Sequence, residues 1–323
     1  MGIKRGVSFY SYQEEIFDQV MTLEDCIATS ASFGAYGVEI LGEQVLPNFP
    51  NITDEFAEQW FQWMDKYKTT PTCYDAFLDT KLYKNRLLTE QECVDQMVRD
   101  IKIASKLGFK SLRTLVTTPL NVIEQSLPYA EQYDVKIGIE IHAPWSLKSE
   151  WMSSFMAFIQ RTGTKHFGFI PDMGIFTKKL ISVAQARYVR AGATPSIVDY
   201  IAQEFEKRTD KQVVKEAVIG MGGNPLDQEL AEWAYGNTFD HPEWLKDIIP
   251  YIVHIHGKFY EMTEDCVEPN LAYEEVVQVL ADAGYDGYMS SEYEGNRHIH
   301  DAFEVDSREQ VRRHQLMLAR LIG

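Results

Sequence analysis

Cysteine is scarce in this 323-residue chain, which has only Cys26, Cys73, Cys93 and Cys266, with no CxxC pair and no zinc-knuckle spacing. That excludes a disulfide-stapled scaffold and leads us to expect a reduced, cytoplasmic setting. Long apolar runs are also missing: no segment approaches membrane-spanning length, and the opening MGIKRGVSFYSY lacks the apolar centre of a signal peptide. Positive charge is in the minority, 31 basic against 48 acidic residues, for a formal net charge of −17. The average field therefore repels phosphate backbones and anionic lipids, and neither a nucleic-acid nor a membrane partner is expected. There is no internal repeat, low-complexity tract or evident linker.

What the chain does contain is ample core material, 45% hydrophobic and 12% aromatic residues. Short β-branched or aromatic runs alternate with longer amphipathic segments, the pattern of parallel strands joined by helices. Candidate strands are Gly6 to Tyr12, Gly37 to Gly42, Pro71 to Leu78, Ser111 to Val116, Lys136 to His142, Phe167 to Asp172, Ile252 to Lys258 and Gly287 to Glu292. Helices are expected after Thr22 and after Thr89, where Thr89 and Glu92 form a capping box, and to stop at Gly34, Gly108 and Gly284. This order predicts an α/β fold, a (β/α)8 TIM barrel spanning residues 1–323 as one domain. The stretch from about 174 to 246 exceeds any ordinary connection, so a helical lobe is expected after the sixth strand, over the catalytic mouth.

Four strand ends carry the chemistry. In Lys136-Ile137-Gly138-Ile139-Glu140-Ile141-His142 the isoleucines alternate outward, which turns Gly138, Glu140 and His142 inward. Asp172 closes the next apolar run before Gly174, where capping the following turn is an equal alternative. His254 and His256 share one face, and His256 lies nearer the mouth. Glu292 ends the last strand, Glu294 follows two residues on, and Glu39 is a further inward candidate with a supporting role. Barrel geometry gathers Glu140, Asp172, His256 and Glu292 at one face. Three carboxylates and an imidazole suit a divalent cation, Mn²⁺ first, with Mg²⁺ or Co²⁺ as alternatives. Lys258, Arg113, Arg297 and His254 are candidates for holding substrate oxygens, against the plainer reading of ion pairing for the charged ones. Tyr10, Tyr12, Tyr74 and Phe77 are candidates to line a pocket, core packing being the commoner use.

At these residues the chain resembles the xylose-isomerase-like sugar isomerases and epimerases. The most specific parts are DG-x4-E at Asp286 to Glu292 and His-x-His at His254 to His256. Within that superfamily, IEIHAP at Ile139 to Pro144, HIHGKFYE at His254 to Glu261 and the long lobe look like C-glycoside deglycosidase catalytic subunits. The resemblance implies a carbon–carbon lyase that pairs with a small beta subunit in a higher hetero-oligomer. Its substrate would be an oxidised, 3-oxo-glucosyl C-glycoside with a flavonoid-type aglycone, cleaved by proton abstraction and elimination. His142 is the leading base, with Glu140 and Glu292 also at the reacting centre. The alternative is a metal-dependent keto-sugar isomerase or epimerase working through an enediolate; a related endonuclease and a non-catalytic carbohydrate-binding barrel are less favoured.

Overall fold

The computed structural model describes residues 2–323. Eight parallel strands form the barrel: β1 (Lys4–Ser8), β2 (Gly37–Leu41), β3 (Thr70–Asp75), β4 (Ser111–Thr114), β5 (Lys136–Ile141), β6 (Phe167–Pro171), β7 (Ile255–Phe259) and β8 (Tyr288–Tyr293). Hydrogen-bonded neighbours run β6-β5-β4-β3-β2-β1-β8-β7. The circle closes between β6 and β7 through two single parallel bridges, Phe169 with Ile252 and Asp172 with His256. At this seam backbones crowd: a Cβ on Gly168 would lie 2.2 Å from the Tyr251 carbonyl oxygen.

The first strand is shorter than the sequence suggests. β1 stops at Ser8, and Phe9–Tyr12 turn into a 3-10 helix. The Ser11 hydroxyl takes over from the ladder there, donating to the Ser291 carbonyl at 3.0 Å and accepting from the Tyr293 amide at 2.9 Å. The turn buries Phe9 and Tyr12 and leaves Tyr10 half-buried.

Helices on the outside pack against the outward residues of the strands, including Ile137, Ile139 and Ile141. Thr22 with Asp25 and Thr89 with Glu92 each complete a reciprocal capping box, which satisfies amides that a helix start otherwise leaves without partners. Gly108 and Gly284 end their helices at φ 83° and 72°.

Between β6 and β7 the chain forms four helices, Ser182–Ala191, Pro195–Glu206, Lys211–Gly220 and Pro225–Ala234. They share an apolar cluster separate from the barrel's, centred on Ile201, Val214, Val218 and Leu230. Buried Asp227 caps the last of them and also accepts from the amide and hydroxyl of Thr194, so one carboxylate ties two helix starts together. Arg187 and Arg190 donate to the carbonyls of Arg297 and His298, which anchors these helices to the loop after β8.

The C-terminal helix, Ser307–Ile322, is fixed to the barrel by polar contacts. Gln315 donates to the Gly6 carbonyl and the Ser291 hydroxyl, and His314 Nδ1 lies 2.6 Å from that same hydroxyl. The His314 ring stacks on Phe259 at 4.2 Å, and burial lowers its pKa to about 3. Because that value is below the ordinary one of 6.5, the unfolded chain takes up this proton first, and stability falls as pH drops from 6.5 towards 3. Urea denaturation should show the wild type losing about 1.4 kcal/mol per pH unit relative to His314→Gln across that window. Parallel pH profiles for the two proteins would show that His314 is not buried neutral.

Candidate functional site

Alternation along each strand turns Glu140 and Glu292 into the barrel near the C-terminal ends of β5 and β8, His256 points inward from the second residue of β7, and Asp172 directly follows β6. One ligand atom from each of the four lies within 4.8 Å of all the others, and every one of these side chains is buried. His256 Nδ1 is 3.0 Å from Glu140 Oε1 and 3.4 Å from Glu292 Oε2. Asp172 divides its two oxygens: Oδ1 accepts from the Gly174 amide at 2.6 Å, and Oδ2 lies 2.9 Å from Lys258 Nζ without the alignment of a hydrogen bond. Capping and a place in the cluster are thus compatible for this residue.

Beneath the cluster, Glu39 on β2 joins two histidines. Its Oε1 is 3.0 Å from His256 Nε2, and its Oε2 is 2.5 Å from His254 Nε2. His256 is thus held between Glu39 on its Nε2 side and Glu140 and Glu292 on its Nδ1 side. His254 therefore sits one layer down, hydrogen-bonded to Glu39 and near the Ser290 hydroxyl at 3.0 Å. It is 1% exposed and does not line the cavity, which corrects the expectation that it touches substrate.

The electrostatics are unbalanced. Glu39, Asp75, Glu140, Asp172 and Glu292 are all buried, and the basic groups among them are Arg113, Lys258, His254 and His256. Burial pushes Asp172 up to about 8, with Lys258 opposing and Glu292 and Glu140 adding to the rise. Burial likewise holds Asp75 well above its usual range, against Arg113. For His256, burial works against the charged ring, but Glu292, Glu39 and Glu140 together raise its pKa well above the ordinary value. Despite burial, Glu39 is held below the ordinary carboxylate value by His256 and His254, Glu140 by Arg113 and His256, and Glu292 by His256 and Lys258. The shortage of positive charge therefore falls on Asp172 and Asp75. The donor atoms of the four-residue group are carboxylate oxygens and one imidazole. Such a group can hold a metal ion.

Glu140, Asp172 and Glu292 line a cavity of about 510 Å³, with His256 buried behind them. His142 stands on its wall, half-buried, with Nδ1 2.7 Å from its neighbour's carbonyl at Ala143. A proton donated there leaves Nε2 as the basic nitrogen. Lys258 sits 3.5 Å from Glu294 Oε1 as well as beside Asp172. Arg113 is buried, 3.4 Å from Asp75 and 3.6 Å from Glu140, with its guanidinium 5.3 Å from the Phe77 ring. Arg297 is at the rim, donating to the Tyr10 hydroxyl at 2.8 Å.

Tyr10 and Phe77 line the cavity, whereas Tyr12 and Tyr74 belong to the core. Sequence reasoning missed Trp233, Asn237, Tyr260 and His298 on the same wall. Trp233 and Asn237 come from the helical segment between β6 and β7, and no local pattern marks them. His298 was legible only as an imidazole six residues beyond Glu292.

No family model matches the chain. It is similar to a 3'-dehydrocarminate deglycosidase alpha subunit from Microbacterium sp, 30% identical over 90% of this chain and 88% of that protein. It is also similar to a C-glycoside deglycosidase alpha subunit from Arthrobacter globiformis, 28% identical over 99% of this chain and 93% of that one. Among solved structures, a sugar phosphate isomerase/epimerase from Parabacteroides distasonis shares the fold at TM-score 0.59 and 13% identity, covering 98% of this chain and 94% of that one. The IOLI protein with a bound zinc atom does so at TM-score 0.59 and 12% identity, covering 99% and 98%. With a (β/α)8 barrel of the sugar isomerase and epimerase type, and a relative of this similarity along nearly its whole length, the chain belongs to the family of C-glycoside deglycosidase alpha subunits.

Proposed function

We propose that this chain is the catalytic subunit of a divalent-metal-dependent C-glycoside deglycosidase that cleaves 3-oxo-glucosyl C-glycosides by proton abstraction and elimination of the aglycone. The observation that carries this reading is the buried group Glu140, Asp172, His256 and Glu292, whose three carboxylates line one cavity with the imidazole of His142 on its wall. The relatives' naming as deglycosidase alpha subunits supports the substrate class and a partner subunit, here a small beta subunit in a hetero-oligomer. Four free cysteines suit a reducing, cytoplasmic setting.

Glu140, Asp172, His256 and Glu292 would hold the metal, Mn²⁺ by preference. When bound, a divalent cation polarises the sugar's keto and hydroxyl oxygens and so acidifies the neighbouring C–H. His142 Nε2 takes the proton from C2, beside the C3 ketone. The electron pair of that C–H bond becomes the C1–C2 double bond as the bond from C1 to the aglycone carbon breaks. The aglycone carbon keeps the bonding pair and takes a proton. Lys258 and Arg113, held against Asp172 and Glu140, bring positive charge to the wall where substrate oxygens sit. Glu39 positions His256 through Nε2 and does not contact substrate.

Aglycone release from a 3-oxo-glucosyl C-glycoside, measured with the beta subunit present, should require added Mn²⁺ and stop on chelation. Release that survives chelation would remove the metal from the mechanism, and ketose interconversion without release would favour an isomerase. Glu140→Gln should lose bound metal and turnover together. His142→Ala should keep its metal by elemental analysis yet lose about 100-fold or more in turnover, and undiminished turnover would eliminate it as the base. Glu39→Gln should weaken metal affinity by about 10–100-fold in a competition titration; unchanged affinity would mean that His256 needs no such support.

A further inference from the structure

Tyr10 and Arg297 line two cavities at once. On one side is the cavity of about 510 Å³ that the carboxylates of the cluster line. On the other is a cavity of about 810 Å³, whose further walls include Ile16, Phe17 and Val45 with Gln13, Gln44 and His300. Arg297 donates to the Tyr10 hydroxyl across this divide at 2.8 Å and lies 3.3 Å from Glu294 Oε1. The Arg297 side chain is 45% exposed, so its ion pair is weak and its position adjustable. Two features of the second cavity lack protein partners. Phe17 presents its ring to solvent at 85% exposure, and buried Asn296 has an amide oxygen with no hydrogen-bond donor.

We propose that this second cavity is an aglycone subsite, taking the flat phenolic ring system of a C-glycoside whose sugar occupies the catalytic cavity, with Arg297 exchanging the Tyr10 hydroxyl for a phenolic oxygen. The identity of the ligand rests on the deglycosidase reading. The aglycone carbon is a competent leaving group where a ring hydroxyl gives up its proton and that carbon gains one, forming the keto tautomer. When the bond to C1 then breaks, its electron pair returns to the ring and leaves the negative charge on the phenolic oxygen. The leaving group is therefore planar, apolar on its faces and polar at its edge. The cavity offers matching chemistry: Ile16, Phe17 and Val45 for the faces, amides, an imidazole and the carboxylates of Glu14 and Asp18 for the hydroxyls, and the permanently charged guanidinium of Arg297 on the side shared with the catalytic cavity. A phenolate formed at bond breaking would lie beside Arg297, on the side facing the reacting centre.

The test uses the full-length protein and apigenin, a trihydroxyflavone, with binding followed by quenching of tryptophan fluorescence. Mn²⁺ and 3-oxo-glucose binding, measured by calorimetry, report on the catalytic cavity separately. Phe17→Ala and Val45→Trp should each weaken apigenin by about tenfold. Both should leave Mn²⁺ and 3-oxo-glucose binding within about twofold of the wild type. Phe17 is too exposed for its truncation to disturb the core, so a folding defect cannot imitate the result. Apigenin affinity unchanged in both variants, or apigenin failing to bind the wild type, overturns the subsite. If the wild type with the beta subunit cleaves no 3-oxo-glucosyl C-glycoside while apigenin binding still depends on Phe17 and Val45, the deglycosidase reading fails and the cavity stands as a site for a phenolic ring system alone. Cleavage accompanied by unchanged apigenin binding gives the reverse.

Discussion

Burying a carboxylate costs several kcal/mol per ion after relaxation, and a cation about 4 Å away returns only about 4 kcal/mol at the effective dielectric of a protein site. Five buried carboxylates with Arg113, Lys258, His254 and His256 among them therefore cannot be there for stability. The barrel tolerates them because eight strands, closed on themselves and packed on both faces, fix the side chains more firmly than the charges repel. The excess is concentrated at Asp172, where burial and neighbouring Glu292 and Glu140 outweigh Lys258. It coincides with the seam, since the Asp172–His256 bridge is one of the two that close β6 on β7. Closure of the barrel and assembly of the candidate metal group are thus the same event in space.

Glu39 connects this mouth to the layer below. A single carboxylate faces Nε2 of both His254 and His256, so the deeper histidine helps to hold the support of the upper one. The pair also accounts for the burial of His254, one alternation deeper than His256. Inward-facing positions along β7 occupy successive depths, and of His254, His256 and Lys258 only Lys258, nearest the C-terminal end, lines the cavity.

The helices between β6 and β7 have their own apolar cluster, and that independence suits a segment that shapes the mouth. Their anchoring to the loop after β8, by Arg187 and Arg190, brings Trp233 and Asn237 to the wall opposite residues from the first strands. The shape of the cavity can then be altered in this segment, or at the Tyr10 and Arg297 divide, without touching the residues of the candidate metal group.

The amino-acid sequence alone determined the repeating β/α order, the helix starts at Thr22 and Thr89, and the four strand-end residues that meet at the mouth. Each depends on local rules: a period of two along strands, a reciprocal cap, and a barrel whose functional face is fixed by strand direction. Tertiary structure decided what depends on partners distant in sequence. β1 ends at Ser8 because the Ser11 hydroxyl satisfies groups on β8, some 280 residues away. Tyr12 and Tyr74 pack inward while Tyr10 and Phe77 reach the cavity, a choice made by neighbouring elements and invisible in residue type. Trp233, Tyr260 and His298 join the wall only because separate loops converge over it. The depth of His254 depended on Glu39 from β2, a partner that no pattern within β7 could reveal.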